Sequence, residues 1–340
     1  MRVLAGLAWS AAACSNFLMN DEYGLSVRTM DLGREPFKWS LFTVPKGSKG
    51  FRANSHGYVG VGADALGVVM ETTFWAGMND AGVTCDSQTL ITTVWPKPKF
   101  GKDNMDVGNL CRWVLEGHAN ITEVKEGLKK VNFLKPIVPM GGSHFVVRDA
   151  AGLSVVIEFL EGEMVVQDDA NDGKSTFGIM TNEPEFTWHV ENIKHLQWKQ
   201  ALARSAVDMP GSWYPDARFE RIHLVKTGMP TPTSYSEAVM HAVHVLNTVT
   251  VPMGDQLGTD SGKGSGEGGG DHTNWGMIYD RKNQTIYWRS EVNQNLQRLR
   301  LQDADIGEGG SKSYLAISSP SLPWFEDAAS KLTKKPEMVV

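Results

Sequence analysis

The stretch from Ser143 to Gln167, SHFVVRDAAGLSVVIEFLEGEMVVQ, alternates apolar and β-branched residues with others and is broken twice by turn residues. Successive side chains on a strand point to opposite faces, so the pattern predicts two strands flanking the DAAG turn and a third after EGE. A second hairpin is predicted over 274–290, NWGMIYDRKNQTIYWRS, turning at DRKN. Helical periodicity is read at about 105–118, 121–131, 188–205 and 233–247, the last opening on a Thr/Ser start. Strands near the start, then helices, more strands, more helices and a final hairpin give no strict βαβ alternation. The order favours an α+β fold of layered sheets and helices over a doubly wound parallel sheet.

At 340 residues the chain is long enough for one large domain or two ordinary ones, and 41% apolar with 21% charged residues allows a packed core. A net charge of −6 with no long basic run argues against nucleic acid or an anionic membrane as the main partner. No stretch approaches the roughly 18 consecutive apolar residues of a membrane-spanning helix. The Gly-rich segment 254–271, GDQLGTDSGKGSGEGGGD, reads as a surface loop. Its GTDSGKGS lacks the GxxxxGK[ST] spacing of a phosphate loop and has no strand leading in or helix leading out. His241 and His244 share a helix face without the further ligands of a zinc site. No serine sits in a GxSxG elbow.

Three cysteines, Cys14, Cys85 and Cys111, allow one bridge at most and leave an odd thiol. Residues 1–13 hold one Arg, an apolar run from Val3 to Trp9 and an A-x-A arrangement at Ala11 and Ala13. This resembles the end of a secretory signal, though shorter than usual, and a short propeptide is the other reading. An exported protein, periplasmic or secreted, is expected. Cys14 itself has three readings: a buried thiol, a lipid anchor, or the first residue of the mature chain.

A chain beginning at Cys14 would carry a thiol and a free α-amine on one residue. The amine, with an ordinary pKa of about 7.7–8, is a ready general base for a thiol of about 8.5. Such a nucleophile needs oxyanion donors and a charge that holds the amine and polarises the thiolate. SVRTMD supplies Arg28 and Asp31 on the strand or turn expected to pair with the Cys14 strand. MTNEPEF puts Asn182 at a strand end with an amide to donate, and PGSWYPDARFER puts Arg218 at a helix start. Each has a plainer alternative: a surface Arg-x-x-Asp ion pair, a turn asparagine, a solvated first-turn arginine.

The order Cys14, VRTMD, WAGMNDAGV at 75–83, MTNEPEF and PGSWYPDARFER resembles the choloylglycine hydrolase and penicillin V acylase family of N-terminal-nucleophile amidases. The similarity runs from Cys14 to about Leu301, closing on IYWRSEVNQNLQRLRL. It implies an αββα four-layer sandwich, a lead 1–13 removed by signal cleavage or autoprocessing, a single catalytic domain 14–301 and a tail 302–340. It further implies Cys14 as nucleophile, Asp31 and Arg28 beside it, Asn182 as an oxyanion-hole side chain and Arg218 as a supporting charge. Counting from Gly82, the family's second oxyanion donor falls on Thr89, through its backbone N–H. Asn79 matches a residue read as holding the loop in shape. Leu32 stands where many members have Trp, and the stretch from Asn182 to Arg218 is shorter than in members with an extended assembly loop.

The activity implied is hydrolysis of a linear, non-peptide C–N amide bond of a small N-acyl compound, with no metal or organic cofactor. An apolar acyl pocket is expected from Phe17, Leu18, Leu32, Trp75 and Trp95. Penicillin V, conjugated bile salts, N-acyl homoserine lactones and N-acylethanolamines all fit the family's range. A homo-oligomer is allowed, but the family's tetramer is not implied. The alternatives are a related acyltransferase or dipeptidase and, outside enzymes, an exported lipid-anchored binding protein acylated at Cys14.

Overall fold

The computed structural model describes residues 14–19, 22–33, 38–49, 54–65, 68–69, 71, 74–137, 141–170, 178–203, 208–253, 271–326 and 328. The lead 1–13 and nearly all of the Gly-rich loop (254–270) lie outside the described residues.

Two antiparallel sheets stack face to face. The first, in spatial order, consists of β13 (Ile179–Thr181), β1 (Ser15–Leu18), β2 (Leu25–Leu32), β14 (His272–Asp280), β15 (Thr285–Ser290) and β16 (Asn293–Arg300). The second runs β12 (Glu163–Ala170), β11 (Ser154–Leu160), β10 (Ser143–Arg148), β7 (Thr84–Thr89), β6 (Ala76–Asn79), β4 (Tyr58–Ala65), β3 (Lys38–Val44) and β17 (Tyr314–Ala316), with β5 (Val68–Val69) beside β4. The hairpins read from the sequence are β10–β11–β12 and β14–β15.

Helices cover both outer faces. α1 (Leu110–Gly117) lies on β6 and β7, and α2 (Ile121–Leu128) lies on β9 (Val131–Leu134), which pairs in parallel with β8 (Asp103–Asp106). On the other side α4 (Pro215–Gly228) and α5 (Tyr235–Val249) pack on β1, β2, β13 and β14, with α3 (Phe186–Ala203) against α4. The result is the αββα sandwich. Its three apolar layers are explicit. Residues such as Met30, Leu41, Val61, Met78 and Met277 fill the space between the sheets. Phe42, Cys85, Val114 and Phe145 lie under α1 and α2, and Phe17, Val27, Phe219 and Leu246 lie under α3–α5.

Local chemistry sets the helix starts. Asn120 Oδ1 accepts from Glu123 N–H at 2.9 Å while the Glu123 carboxylate accepts from Ala119 N–H at 2.8 Å, a reciprocal cap for α2. Ser234 and Glu237 repeat the arrangement for α5, with Thr233 N–H on the carboxylate at 2.6 Å. Pro215 occupies the first turn of α4, where a missing N–H costs nothing. The helix expected over 105–118 is shorter, because residues up to 106 form β8 and a 3-10 turn precedes Leu110. β17, within the stretch set apart as a tail, pairs with β3 and closes that edge of the second sheet.

Cys85 and Cys111 form the one disulfide that three cysteines permit, fastening α1 to β7, and Cys14 is a free, buried thiol. The bridge closes a separation of 26 residues, for which chain entropy predicts about 3.5 kcal/mol of stabilisation. A Cys85→Ala/Cys111→Ala variant should lose about that much in chemical denaturation. An unchanged midpoint would contradict the linkage.

Candidate active site

Cys14 stands immediately before β1 and is 2% exposed. β1 pairs with β2 in the register Ser15↔Thr29 and Asn16↔Arg28, so the Cys14 strand and the VRTMD strand are neighbours as expected. Continuing that register sets Cys14 beside Met30, and Sγ indeed lies 3.8 Å from Met30 Sδ and 4.0 Å from Asp31 O. Burial pushes the thiol pKa up to about 11, against an opposing pull from Arg28.

Arg218 ties this end of the chain to Asn182. Its Nη1 donates to the carbonyl of Cys14 and, at 2.8 Å, to Ser15 Oγ. Its Nη2 donates to Asn182 Oδ1 at 2.9 Å, and Nε donates to Trp213 O at 2.8 Å. A guanidinium can only donate, so it fixes which end of the Asn182 amide faces it. The Nδ2 group is thereby turned away, and it donates to Thr89 O at 3.0 Å and Thr89 Oγ1 at 2.8 Å. Asn182 follows the last residue of β13, and Arg218 lies in the first turn of α4. Both are fully buried, so Arg218 is not a solvated first-turn arginine, and Asn182, although it does stand in the turn after β13, has its side chain engaged in the site.

Arg28 and Asp31 are three apart on a strand and therefore face opposite ways. They do not form a surface pair. Arg28 turns into the space between the sheets, where Nη1 donates to Trp75 O and Ser87 O, each at 2.7 Å, and lies 3.8 Å from Asp86 Oδ1. Asp31 turns to the helical side and accepts from Thr273 Oγ1 at 2.5 Å and Thr29 Oγ1 at 3.1 Å. Thr29 Oγ1 in turn accepts from Ser15 N–H at 2.9 Å. Burial pushes the Asp31 pKa up to about 7 despite the attraction of Arg218 and both hydroxyls. Asp31 is near enough to Cys14 for its charge to act on the thiol, and its main-chain oxygen lies 4.0 Å from Sγ.

Asn79 binds its own loop through Ala81 N–H and Val83 N–H at 3.1 and 2.9 Å, and reaches Leu115 O and His118 O at the end of α1. Gly82 in the same loop has φ 77°, and a Cβ there would stand 2.2 Å from Arg281 O. Of the five expected pocket residues, Leu32 and Trp75 share the inter-sheet cluster with Cys14. The other three are not brought to the thiol. Phe17 alternates to the cluster under α3–α5, Leu18 is at the far end of β1, and Trp95 packs on Phe159 beyond the second sheet. In their place stand Trp39 and Trp275: the Trp39 ring centroid lies 5.4 Å from that of Trp75 and 5.8 Å from that of Trp275. Sequence reasoning also missed Thr29, Thr273 and Asp86. A hydroxyl 242 residues distant from Asp31 leaves no local signal.

The family model for linear amide C–N hydrolases, choloylglycine hydrolase family, matches residues 14–314. The chain is 27% identical over 270 residues to the bile salt hydrolase/transferase of Clostridium perfringens, covering 71% of this chain and 80% of that protein. It is 22% identical over 353 residues to the penicillin V acylase of Pectobacterium atrosepticum, covering 94% and 89%. A mutant conjugated bile acid hydrolase from Clostridium perfringens superposes with TM-score 0.71 at 21% identity, covering 88% of this chain and 96% of that one. Penicillin V acylase from Agrobacterium tumefaciens gives TM-score 0.71 at 20% identity, covering 89% and 91%. These two structural likenesses show the fold.

A thiol whose pKa is raised is thiolate only at high pH. In chain that retains residues 1–13, alkylation of Cys14 should climb about tenfold per pH unit from 7 to 10. A plateau near the ordinary thiol pKa would contradict the burial read from the structure.

Proposed function

The chain belongs to the choloylglycine hydrolase family of linear amide C–N hydrolases, and we propose that it works as an N-terminal-nucleophile amidase with Cys14 as its mature first residue. The observation that carries the reading is the guanidinium of Arg218, which grips the Cys14 carbonyl and the Asn182 side chain at once. Nucleophile and oxyanion donor are thereby held on one rigid fork.

Removal of residues 1–13 turns the backbone nitrogen of Cys14 into an amine on the residue whose thiol the Asp31 charge already reaches. A buried carboxyl whose pKa burial has lifted to about 7 is stabilised as the anion by a new cation at its side. Asp31 then orients the amine, and Thr29 and Thr273 orient Asp31. The amine takes the thiol proton, and the thiolate, with Arg28 favouring its charge, attacks the acyl carbonyl. One Asn182 Nδ2 hydrogen moves from the Thr89 hydroxyl to the oxyanion, joined by the Thr89 backbone N–H. The tetrahedral species collapses, the α-ammonium protonates the departing amine, and the acyl group remains on Cys14 as a thioester. Water, deprotonated by the same amine, releases the acid and restores the thiol.

An apolar acyl group is supported by the wall nearest the thiol: Met30, Leu32, Trp39, Trp75 and Trp275 all belong to one buried cluster with Cys14. Bile salts and penicillin V, the substrates named for the relatives, are the first acyl amides to offer, followed by N-acyl homoserine lactones and N-acylethanolamines. The Cys85–Cys111 bridge supports an oxidising destination, and with it export.

Cys14→Ala should abolish turnover of every member of that panel while leaving the thermal midpoint within a few degrees of wild type. Turnover by the alanine variant would overturn the mechanism.

A further inference from the structure

Asn182 leaves the ladder after β13, so its carbonyl needs a partner from elsewhere. His189, the fourth residue of α3, supplies one: Nε2 lies 3.2 Å from Asn182 O. A carbonyl can only accept, so Nε2 carries the hydrogen. The imidazole is 1% exposed and stacks on Phe219 with ring centroids 4.7 Å apart and planes 1° from parallel. Phe219 adjoins Arg218 on α4. One ring therefore joins α3, α4 and the turn that bears the oxyanion donor.

Packing alone does not account for this side chain. Burial pushes its pKa down to about 4, so it is neutral near pH 7 and its Nδ1 is an acceptor. That Nδ1 is buried and has no hydrogen-bond partner among the described residues. A phenylalanine or methionine would fill the same space against Phe219 without stranding a polar atom. What neither could do is donate to Asn182 O. The far end of the same turn is pinned as well, by Phe186 N–H to Glu158 Oε1 at 2.9 Å, with His144 Nδ1 on that carboxylate at 3.1 Å.

We propose that His189 is a positioning residue for the amidase reaction: its Nε2–H fixes the Asn182 backbone so that the side-chain amide, clasped by Arg218, keeps its aim at the reacting carbonyl. The inference rests on the reading of Asn182 as an oxyanion donor. A displacement of about 1 Å at such a group can cost about a hundredfold in rate.

The test is kcat and KM, measured on whichever of penicillin V, a glycine-conjugated bile salt, an N-acyl homoserine lactone and an N-acylethanolamine the mature chain turns over, for that chain and three variants, with thermal midpoints alongside. His189→Phe and His189→Met keep the packing and lose the donor; His189→Gln keeps an N–H within reach of Asn182 O. The expected result is a kcat lower by about 10–100-fold in the donorless variants, KM within about twofold, and recovery of most of kcat in His189→Gln. Should His189→Phe fail to fold, the Met and Gln variants carry the same comparison. Wild-type kcat in a folded donorless variant would overturn the proposal, as would equal losses in all three that follow the folded fraction. Absence of turnover of all four acyl amides by the wild-type mature chain would instead overturn the amidase reading on which it rests.

Discussion

The fork of hydrogen bonds from Arg218 is the interaction on which the rest of the site depends. Cys14 and Asn182 are 168 positions apart in the chain, and they flank adjacent strand ends only because β13 pairs with β1. Pairing brings the backbones together but leaves the side-chain amide of Asn182 free to rotate either way. Arg218 removes that freedom, since only the oxygen end can face a guanidinium. The cost of burying such a charge is met by four acceptors, three of them carbonyl or amide oxygens at the heart of the site. Truncating Asn182 would take away the acceptor of Nη2, a loss of about 1–3 kcal/mol or more for a charged group.

A second buried charge system supports the first from the other side of the sheet. Arg28 meets Asp86, which also accepts from Asn16 Nδ2 at 2.7 Å and Tyr279 OH at 3.2 Å. Burial raises the Asp86 pKa and Arg28 opposes it. Buried pairs of this kind add little net stability, because desolvation offsets attraction, but breaking one partner is expensive. Their consequence here is geometric. Arg28 bonds the β6 and β7 side of the second sheet through Trp75 O and Ser87 O, so the two sheets meet in a fixed register at the thiol. The same β7 carries Thr89 to Asn182 and is tied to α1 by its disulfide.

Much of this was legible in the sequence where chemistry is local. The β10–β11–β12 meander, the β14–β15 hairpin and the Thr/Ser start of α5 follow from alternation, turns and side-chain reach within a few residues. The Cys14, Arg28, Asp31, Asn182 and Arg218 set was read from residue types in a familiar order, and the structure brings all five to one end of the first sheet. The pocket was less legible. Phe17, Trp75 and Trp95 look alike as apolar residues, and which of three apolar layers each enters depends on strand parity and sheet stacking. Phe17 is one position off the face that Asn16 presents to Asp86. Thr273 and His189 carried no signal because a threonine in a strand and a histidine in a helix are ordinary until their partners are known. β17 was hidden for a related reason: three residues pairing with a strand far upstream have no pattern of their own.

The account stands on Cys14 becoming the first residue of the working enzyme. The most direct measurement is the intact mass and N-terminal residue of protein that turns over an acyl amide. The account predicts a chain lacking residues 1–13, beginning at an unmodified Cys14. Turnover by a chain that still carries Met1, or a diacylglyceryl mass on Cys14, would contradict it.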